Sequence, residues 1–196
     1  MPDSQSPPSD PPGAATRAAL LASARAHFSE SGYDHVGVRE IAARAGVNAA
    51  LVNRYYGSKR GLFEAAVADS FTVGDLLVGD RATLGDRLAR YLVGRRRAGL
   101  AGADLRYDPT LVVLRSAASP EAGPLLREAL DRQVVRPLAA WLDGPDAEAR
   151  AGLVVALLFG VTVSRDVLGV APLGVDRADA LASALGPFIQ RLVDGG

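Results

Sequence analysis

Val38-Arg39-Glu40-Ile41-Ala42-Ala43-Arg44-Ala45-Gly46-Val47-Asn48-Ala49-Ala50-Leu51-Val52-Asn53-Arg54-Tyr55-Tyr56 decides the fold. Three of its positions carry a geometric demand. Ala42 is small, which lets a second helix cross close above it. Gly46, four residues on, can take the positive φ that ends one helix in a tight turn. Val52, ten residues after Ala42, packs back into the wedge, while Ile41, Ala45 and Val47 fill the underside. Small, glycine and branched residues at these intervals are what two helices joined by a short turn require. The same spacing also serves helical hairpins with no nucleic-acid role. The outward residues of the second helix separate the two cases. Ala49, Ala50, Asn53 and Arg54 are small or hydrogen-bonding rather than acidic, and Asn suits adenine and Arg suits guanine in a major groove. Asn48, at the expected N-cap, is read as leaving the first amides of that helix open to phosphate or base edges.

Helical spacing continues in both directions. Leu20, Leu21, Ala24, His27 and Phe28 make one apolar stripe, with Thr16 as the expected cap and Gly32 as the stop. Ser58 is placed to cap a fourth helix over 59–71, whose buried face is Leu62, Phe63, Ala66, Val67 and Phe71. Later helices are expected over 81–99, 108–118, from Ser119-Pro120-Glu121 through Trp141, 146–167 and 176–193. Pro137 lies inside one of them and predicts a kink, because it removes a donor and crowds the preceding turn. No strand alternation appears. The expected fold is all-α with about nine helices. A three-helix helix-turn-helix domain at 14–60 is linked through helix 59–71 to a larger helical bundle at 72–196. Residues 1–13, with five prolines, read as a disordered arm.

The chain has 196 residues, of which 48% are hydrophobic and only 6% aromatic, so Leu, Val and Ala must fill the core. It has no cysteine, which excludes disulfides, thiolate metal sites and a cysteine nucleophile. Its two histidines stand apart, His27 on an apolar stripe and His35 in a short loop. No paired carboxylates, metal-ligand spacing or phosphate-cradling glycine loop emerges. The expectation is a protein that is not an enzyme and uses no cofactor and no metal. The opening Met1-Pro2-Asp3-Ser4 lacks the basic and apolar parts of a secretory signal. The apolar run Leu153 to Val163 reads as a core helix too short to span a bilayer. A cytoplasmic protein without membrane contact is expected. Net charge is zero, yet Thr16 to Phe63 holds seven basic and three acidic residues, a net +4. The remainder carries −4, so a basic module is joined to an acidic body.

Gly32-Tyr33, Val38-Arg39-Glu40-Ile41-Ala42, Ala45-Gly46-Val47 and Tyr55-Tyr56-Gly57-Ser58-Lys59, followed by Leu62-Phe63, resemble the N-terminal domain of the TetR family of bacterial repressors. Leu114 to Ala122, with Arg136-Pro137-Leu138, is similar to one C-terminal subgroup of that family. The resemblance implies an Ω-shaped homodimer of all-helical subunits that binds a palindromic operator in double-stranded DNA. It also implies that Tyr55, Tyr56 and Lys59 touch the DNA backbone while Asn48 to Arg54 face bases. Family members often place Thr before the second helix to cap it and bind phosphate. Here Val36-Gly37 stands there, leaving only the Gly37 amide, beside Val38 and Arg39. Asn53 occupies a position where an aromatic residue is frequent.

The helix from Asp146 to Val167 is apolar all round between Leu153 and Val163, and such a helix must be covered on every side. Together with the last helix it is expected to form a two-fold interface through Leu153, Leu157, Gly160, Leu181, Leu185, Phe188, Ile189 and Leu192. The family resemblance implies a pocket within the C-terminal bundle whose occupancy moves the fourth helix. Its expected lining is Leu88, Tyr91, Leu92, Leu111, Leu114 and Phe159, with Tyr107, Asp108 and Arg115 offering polar contacts to a small, largely apolar effector. Arg95-Arg96-Arg97 reads as a solvated helix end. The alternative is a helical protein-interaction module that has lost DNA binding, favoured by Val36-Gly37 and Asn53. Salt-dependent binding to DNA separates the two.

Overall fold

The computed structural model describes residues 13–68, 70–71, 73–99 and 107–195, with the side chains of 95–99 left out. The expected arm at 1–12 and the side chains of Arg95-Arg96-Arg97 lie outside the described residues. Among the described residues there are helices and no strand. The N-terminal part is α1 (Ala14–Ser31), α2 (Val38–Arg44), α3 (Ala50–Tyr56) and α4 (Lys59–Val67). The C-terminal part is α5 (Leu84–Gly99), α6 (Pro109–Ser116), α7 (Ala122–Leu130), α8 (Arg136–Leu142), α9 (Ala147–Thr162) and α10 (Ala178–Asp194). A π turn over Asp131–Val135 makes α7 and α8 one continuous rod, so the described residues form nine rods.

Several ends depart from the sequence expectation. Helix α1 starts at Ala14 and not after Thr16. The Arg17 amide bonds the Gly13 carbonyl, and the alanines Ala14 and Ala15 extend the helix without a side-chain cap. Helix α4 stops at Val67, short of residue 71, because the chain turns there. The Ser70 hydroxyl donates to the Ala66 carbonyl and the Phe71 amide to Gln133 Oε1. The distortion expected at Pro137 appears one turn earlier as the π turn, in which the Arg136 amide reaches back five residues to the Asp131 carbonyl. The proline ring crowds the carbonyl four residues before it, and the widened turn relieves that.

Two hydrophobic clusters organise the packing. The first joins α1 to α4 with α6 and α7, running from Leu20, Phe28 and Phe63 to Val112, Leu125 and Ala129. The second joins α5, α8, α9 and α10 through Leu84, Leu88, Leu138, Val154 and Ile189. In that second cluster α5 lies directly on α10. A side chain at Gly85 would strike the Gly186 carbonyl, and one at Gly186 would meet Asp86. Glycine at both points is what lets the two backbones approach. At one end of the bundle, two guanidiniums collect helix-terminal carbonyls. Arg81 donates to Leu142 and Val193, and Arg150 donates to Asp143, Pro145, Leu192 and Val193. Apart from Pro145, which lies in the loop before α9, these are the carbonyls that the ends of α8 and α10 leave unbonded.

The apolar run Leu153 to Val163 sits inside a longer helical stretch. Residues 147–167 are helical throughout, and an 18-residue window within them reaches a mean hydropathy of 1.5, long and apolar enough to cross a bilayer by length and composition alone. This corrects the expectation drawn from the shorter run. In the fold the stretch packs on α8 and α10, and it carries Arg150 and a buried Arg165 bonded to Asp166 and the Leu92 carbonyl. Its remaining apolar surface lies open. Leu153 is 55% and Phe188 of α10 54% exposed, and Ala156, Gly160 and Ala184 are exposed beside them.

The α5–α10 crossing generates a prediction. Gly85→Val should destabilise the fold by about 1–3 kcal/mol or more through overpacking. Gly94→Ala, in the same helix with open space around it, should stabilise by about 0.5–1 kcal/mol. Urea unfolding of the two variants measures both.

Candidate nucleic-acid interface

The short turn between α2 and α3 is built as its residues require. Gly46 takes φ 69°, the Val47 amide bonds the Ala42 carbonyl, and Ile41, Ala42 and Val52 are fully buried beneath. Helix α3 therefore lies on the core through Val52, with Leu51 half-buried, and turns Ala50, Asn53 and Arg54 to solvent. Ala49 is half-buried at its start. Gly57 takes φ 74°, and Ser58 Oγ accepts the Gly61 amide at 3.1 Å, capping α4. Gly61 is obligatory for a steric reason: any side chain there would collide with the Tyr56 carbonyl.

Several polar groups expected at this face are already engaged within the chain. Glu40 Oε2 accepts the Gly37 amide at 2.8 Å. That satisfies the donor that Gly37 was expected to leave open, in place of a capping hydroxyl. Asn48 Oδ1 accepts the Ala50 amide at 2.8 Å, so the first amides of α3 are not all open. The Tyr56 hydroxyl donates to the Arg17 carbonyl, and the Arg17 guanidinium lies 5.4 Å from the Tyr56 ring. Arg44 makes a two-pronged ion pair with Glu30. Lys59 rests its ammonium 4.2 Å over the ring of Tyr33. Arg54 lies 6.0 Å over Tyr55, whose ring is half-buried. Val38 is half-buried, and Arg39 is exposed on the first turn of α2.

Behind this face stands an aromatic knot. Phe28 and Phe63 meet edge-to-face at 4.9 Å, Tyr33 and Phe63 at 5.0 Å, and Phe28 and Tyr33 stack at 6.0 Å. Each such pair contributes about 0.5–1.5 kcal/mol beyond its buried area. The Tyr33 phenol is 1% exposed. Burial first, then the neighbouring Glu121 carboxylate, pushes it above the ordinary tyrosine range.

The C-terminal bundle holds a cavity of about 120 Å³, walled by Leu88, Tyr91 and Leu92 of α5, Leu138 of α8 and Phe159 of α9. Its wall also includes Pro109 and Thr110 of α6 and Phe71 of the segment after α4. Leu88, Tyr91, Leu92 and Phe159 were read from the sequence as lining residues. Tyr107, Leu111, Leu114 and Arg115 lie elsewhere. Tyr107 bonds Ser70 and the Ala66 carbonyl, and Arg115 donates to the Ser29 carbonyl. Leu114 is exposed and Leu111 half-buried outside the cavity wall. The sequence offered no sign of Phe71 or Thr110, since neither lies on the stripe that marked the pocket. Of the residues expected at a subunit interface, Leu153, Gly160 and Phe188 are exposed, and Leu157, Leu181, Leu185 and Leu192 are half-buried. Ile189 is fully buried in the chain's own second cluster. It shares a helix with Phe188, and adjacent helical residues point about 100° apart.

A family model described as "Bacterial regulatory proteins, tetR family" matches residues 20–66. One described as "Tetracyclin repressor-like, C-terminal domain" matches residues 82–193, more than half of the chain. The chain belongs to the TetR family. A TetR-family regulator from Streptomyces coelicolor is 28% identical over 95% of this chain and 99% of its own, with a TM-score of 0.62. NalD of Pseudomonas aeruginosa, the secondary repressor of the MexAB-OprM multidrug efflux pump, is 18% identical over 88% and 95% with a TM-score of 0.66, a likeness of fold. No curated protein sequence gives a match. The α2–turn–α3 unit is thus the DNA-reading module of a transcriptional regulator of this family.

The buried phenol predicts an alkaline effect. A folded-state value above the unfolded value near 10 leaves stability intact below about pH 10 and erodes it above, by at most about 1.4 kcal/mol per pH unit. Tyr33→Phe should flatten stability against pH between 10 and 11 relative to the wild type, as measured by urea unfolding at each pH.

Proposed function

We propose that this protein is a ligand-responsive repressor that binds a palindromic operator as a homodimer. The observation that carries the reading is the face of α3. Its apolar side is locked down by Val52, while Ala50, Asn53 and Arg54 face solvent on a segment with a net charge of +4. Asn53 and Arg54 are suited to base edges. Arg39 and the ring-stacked Lys59, with Tyr55 and Tyr56 at the far end of α3, flank them where phosphates would run. Ala49 and Ala50 are small enough to let the helix seat deeply, and Asn48, Gly37 and Val38 shape its entry.

The dimer reading rests on α9 and α10. Leu153, Gly160 and Phe188 lie exposed on the two helices, and Leu157, Leu181, Leu185 and Leu192 are only half-buried beside them. Exposed apolar patches rimmed by polar residues mark association sites. Pairing that surface about a two-fold axis brings two α3 helices to bear on adjacent half-sites, about 34 Å apart on B-DNA. The effector reading rests on the cavity, whose wall is aliphatic and aromatic with hydroxyls at Ser70, Tyr91, Thr110 and Thr162 and, among the described residues, no charged side chain. It suits a small, neutral, largely apolar molecule. Such a protein acts where the chromosome is, in the cytoplasm.

The test is selection of duplexes from a random DNA pool by the full chain, which should return a palindrome, followed by affinity against salt. Arg39→Ala should lower the slope of log K against log salt by about 1.8, the loss of one phosphate contact in each subunit of the dimer. Arg54→Ala should cost about 1–3 kcal/mol and relax preference at one base of each half-site. No salt-sensitive binding to any duplex points instead to an interaction module.

The interface generates its own prediction. Leu153→Glu with Phe188→Glu should yield a folded monomer by sedimentation, with unchanged helicity and operator binding weakened at least about tenfold through lost bivalency.

A further inference from the structure

The stretch of sequence ahead of α1 has a charge opposite to that of the DNA-reading face. Residues 1–12 hold five prolines, Asp3 and Asp10, and no Lys, Arg or Glu. Gly13, the residue that follows them, sits against the far end of α3. A side chain on it would lie 3.0 Å from the Tyr55 hydroxyl. Beside it, the Tyr56 hydroxyl donates to the Arg17 carbonyl at 2.8 Å, which fastens the first turn of α1 to the same end of α3. Residues 1–12 therefore join the head at the two tyrosines, along the path where phosphates would run. Two exposed guanidiniums flank that point. Arg17 lies 5.4 Å from the Tyr56 ring, and Arg54 lies 6.0 Å from the Tyr55 ring. Among the described residues, no carboxylate pairs with either of them.

We propose that residues 1–12 lie back over this end of α3 and hold their carboxylates against Arg17 and Arg54, in competition with DNA phosphates. Charge favours that occupant, because an acidic segment without one basic residue is joined to a segment carrying a net +4. Reach allows it. A proline-rich stretch spans about 3.1 Å per residue, so Asp10, three residues before Gly13, stays within about 10 Å of it. Asp3, ten residues away, extends up to about 31 Å, and a seven-residue helix such as α3 is only about 10 Å long. Tethering supplies the rest. A segment attached beside its target is present at an effective concentration in the millimolar range, so a weak contact is populated. Exposed ion pairs are individually weak and screened by salt. The arm is thus a reversible brake on DNA binding, strongest at low ionic strength.

The competition rests on the regulator reading above, and the contact itself does not, so each has its own readout. In the full chain, Asp3→Asn with Asp10→Asn should tighten binding to the selected palindrome and to a random-sequence duplex. The expected gain is about three- to tenfold at about 0.05 M salt. It should shrink below about twofold near 0.3 M, where the screening length is about half as long. Ser4→Glu with Ser6→Glu should weaken binding by a similar factor. Asp143→Asn with Glu148→Gln removes two exposed carboxylates at the end of the bundle that Arg150 fastens, and should change affinity less than about twofold. The contact is read without DNA. The chain has no cysteine, so Ser6→Cys takes a single spin label. At low salt the label should broaden the amide signals of Arg17, Arg54 and Tyr55 and leave those of Asp143 and Gly144 sharp. The broadening should fade at high salt and in the Asp3→Asn, Asp10→Asn background. No broadening at α3, or broadening indifferent to the charge of the arm, overturns the proposal. So does neutralisation of the arm that leaves duplex affinity unchanged or weakens it, and so does a distal pair that tightens binding as much. Charge-dependent broadening in a chain that binds neither duplex overturns the regulator reading and the competition, while the contact stands.

Discussion

The structure depends on one continuity: the hydrophobic core of the DNA-reading head does not close on itself. Phe28, Tyr33 and Phe63 sit at its centre, and their cluster runs on without a break into Val112, Val113, Leu125 and Leu126 of α6 and α7. Four short helices alone bury too little surface to be comfortably stable. Borrowing the faces of α6 and α7 solves that, and it also removes the head's freedom to tilt by itself. The head is therefore mechanically tied to α6 and α7. A helix-turn-helix module folded around a private core would have needed a separate device for that link.

The second constraint acts at the other side of the molecule. Helix α9 is the most apolar segment in the chain, yet much of its surface is open. Its buried side packs Ala151 and Val154 into the second cluster, and its open side continues across α10 through Phe188. Apolar residues thus occupy both its buried and its open side, which explains why it shows almost no amphipathic pattern. Glycines at 152 and 160 leave nothing within contact distance above them, so an approaching helix meets backbone and not side chains.

Much of this was legible in the sequence because it follows from local rules. The Ala42–Gly46–Val52 spacing, the stops at Gly32 and Gly57 and the cap at Ser58 are short-range demands of turns and helix ends. They placed α1 to α4 to within a few residues. Two differences are local: the Glu40 and Asn48 side chains accept the Gly37 and Ala50 amides, three and two residues away, as capping side chains do. The rest of what stayed hidden was long-range. Arg115 has the composition of a pocket residue, and only the crossing of α6 over Gly32 turns it towards Ser29. Ile189 belongs to the same apolar stripe as Phe188, and the packing of α5 on α10 determines which of them faces inward. The α9 stretch was expected over 146–167 and is helical over 147–167, since Gly160 and Thr162 interrupt apolarity without interrupting the helix.

The arginine pair Arg81 and Arg150 gives the molecule an asymmetry of stiffness. By fastening the ends of α8 and α10 to one another, they make the bundle's distal cap a fixed base. The helix ends gathered there cannot splay independently, so the four helices of the second cluster meet a load at that base as one body.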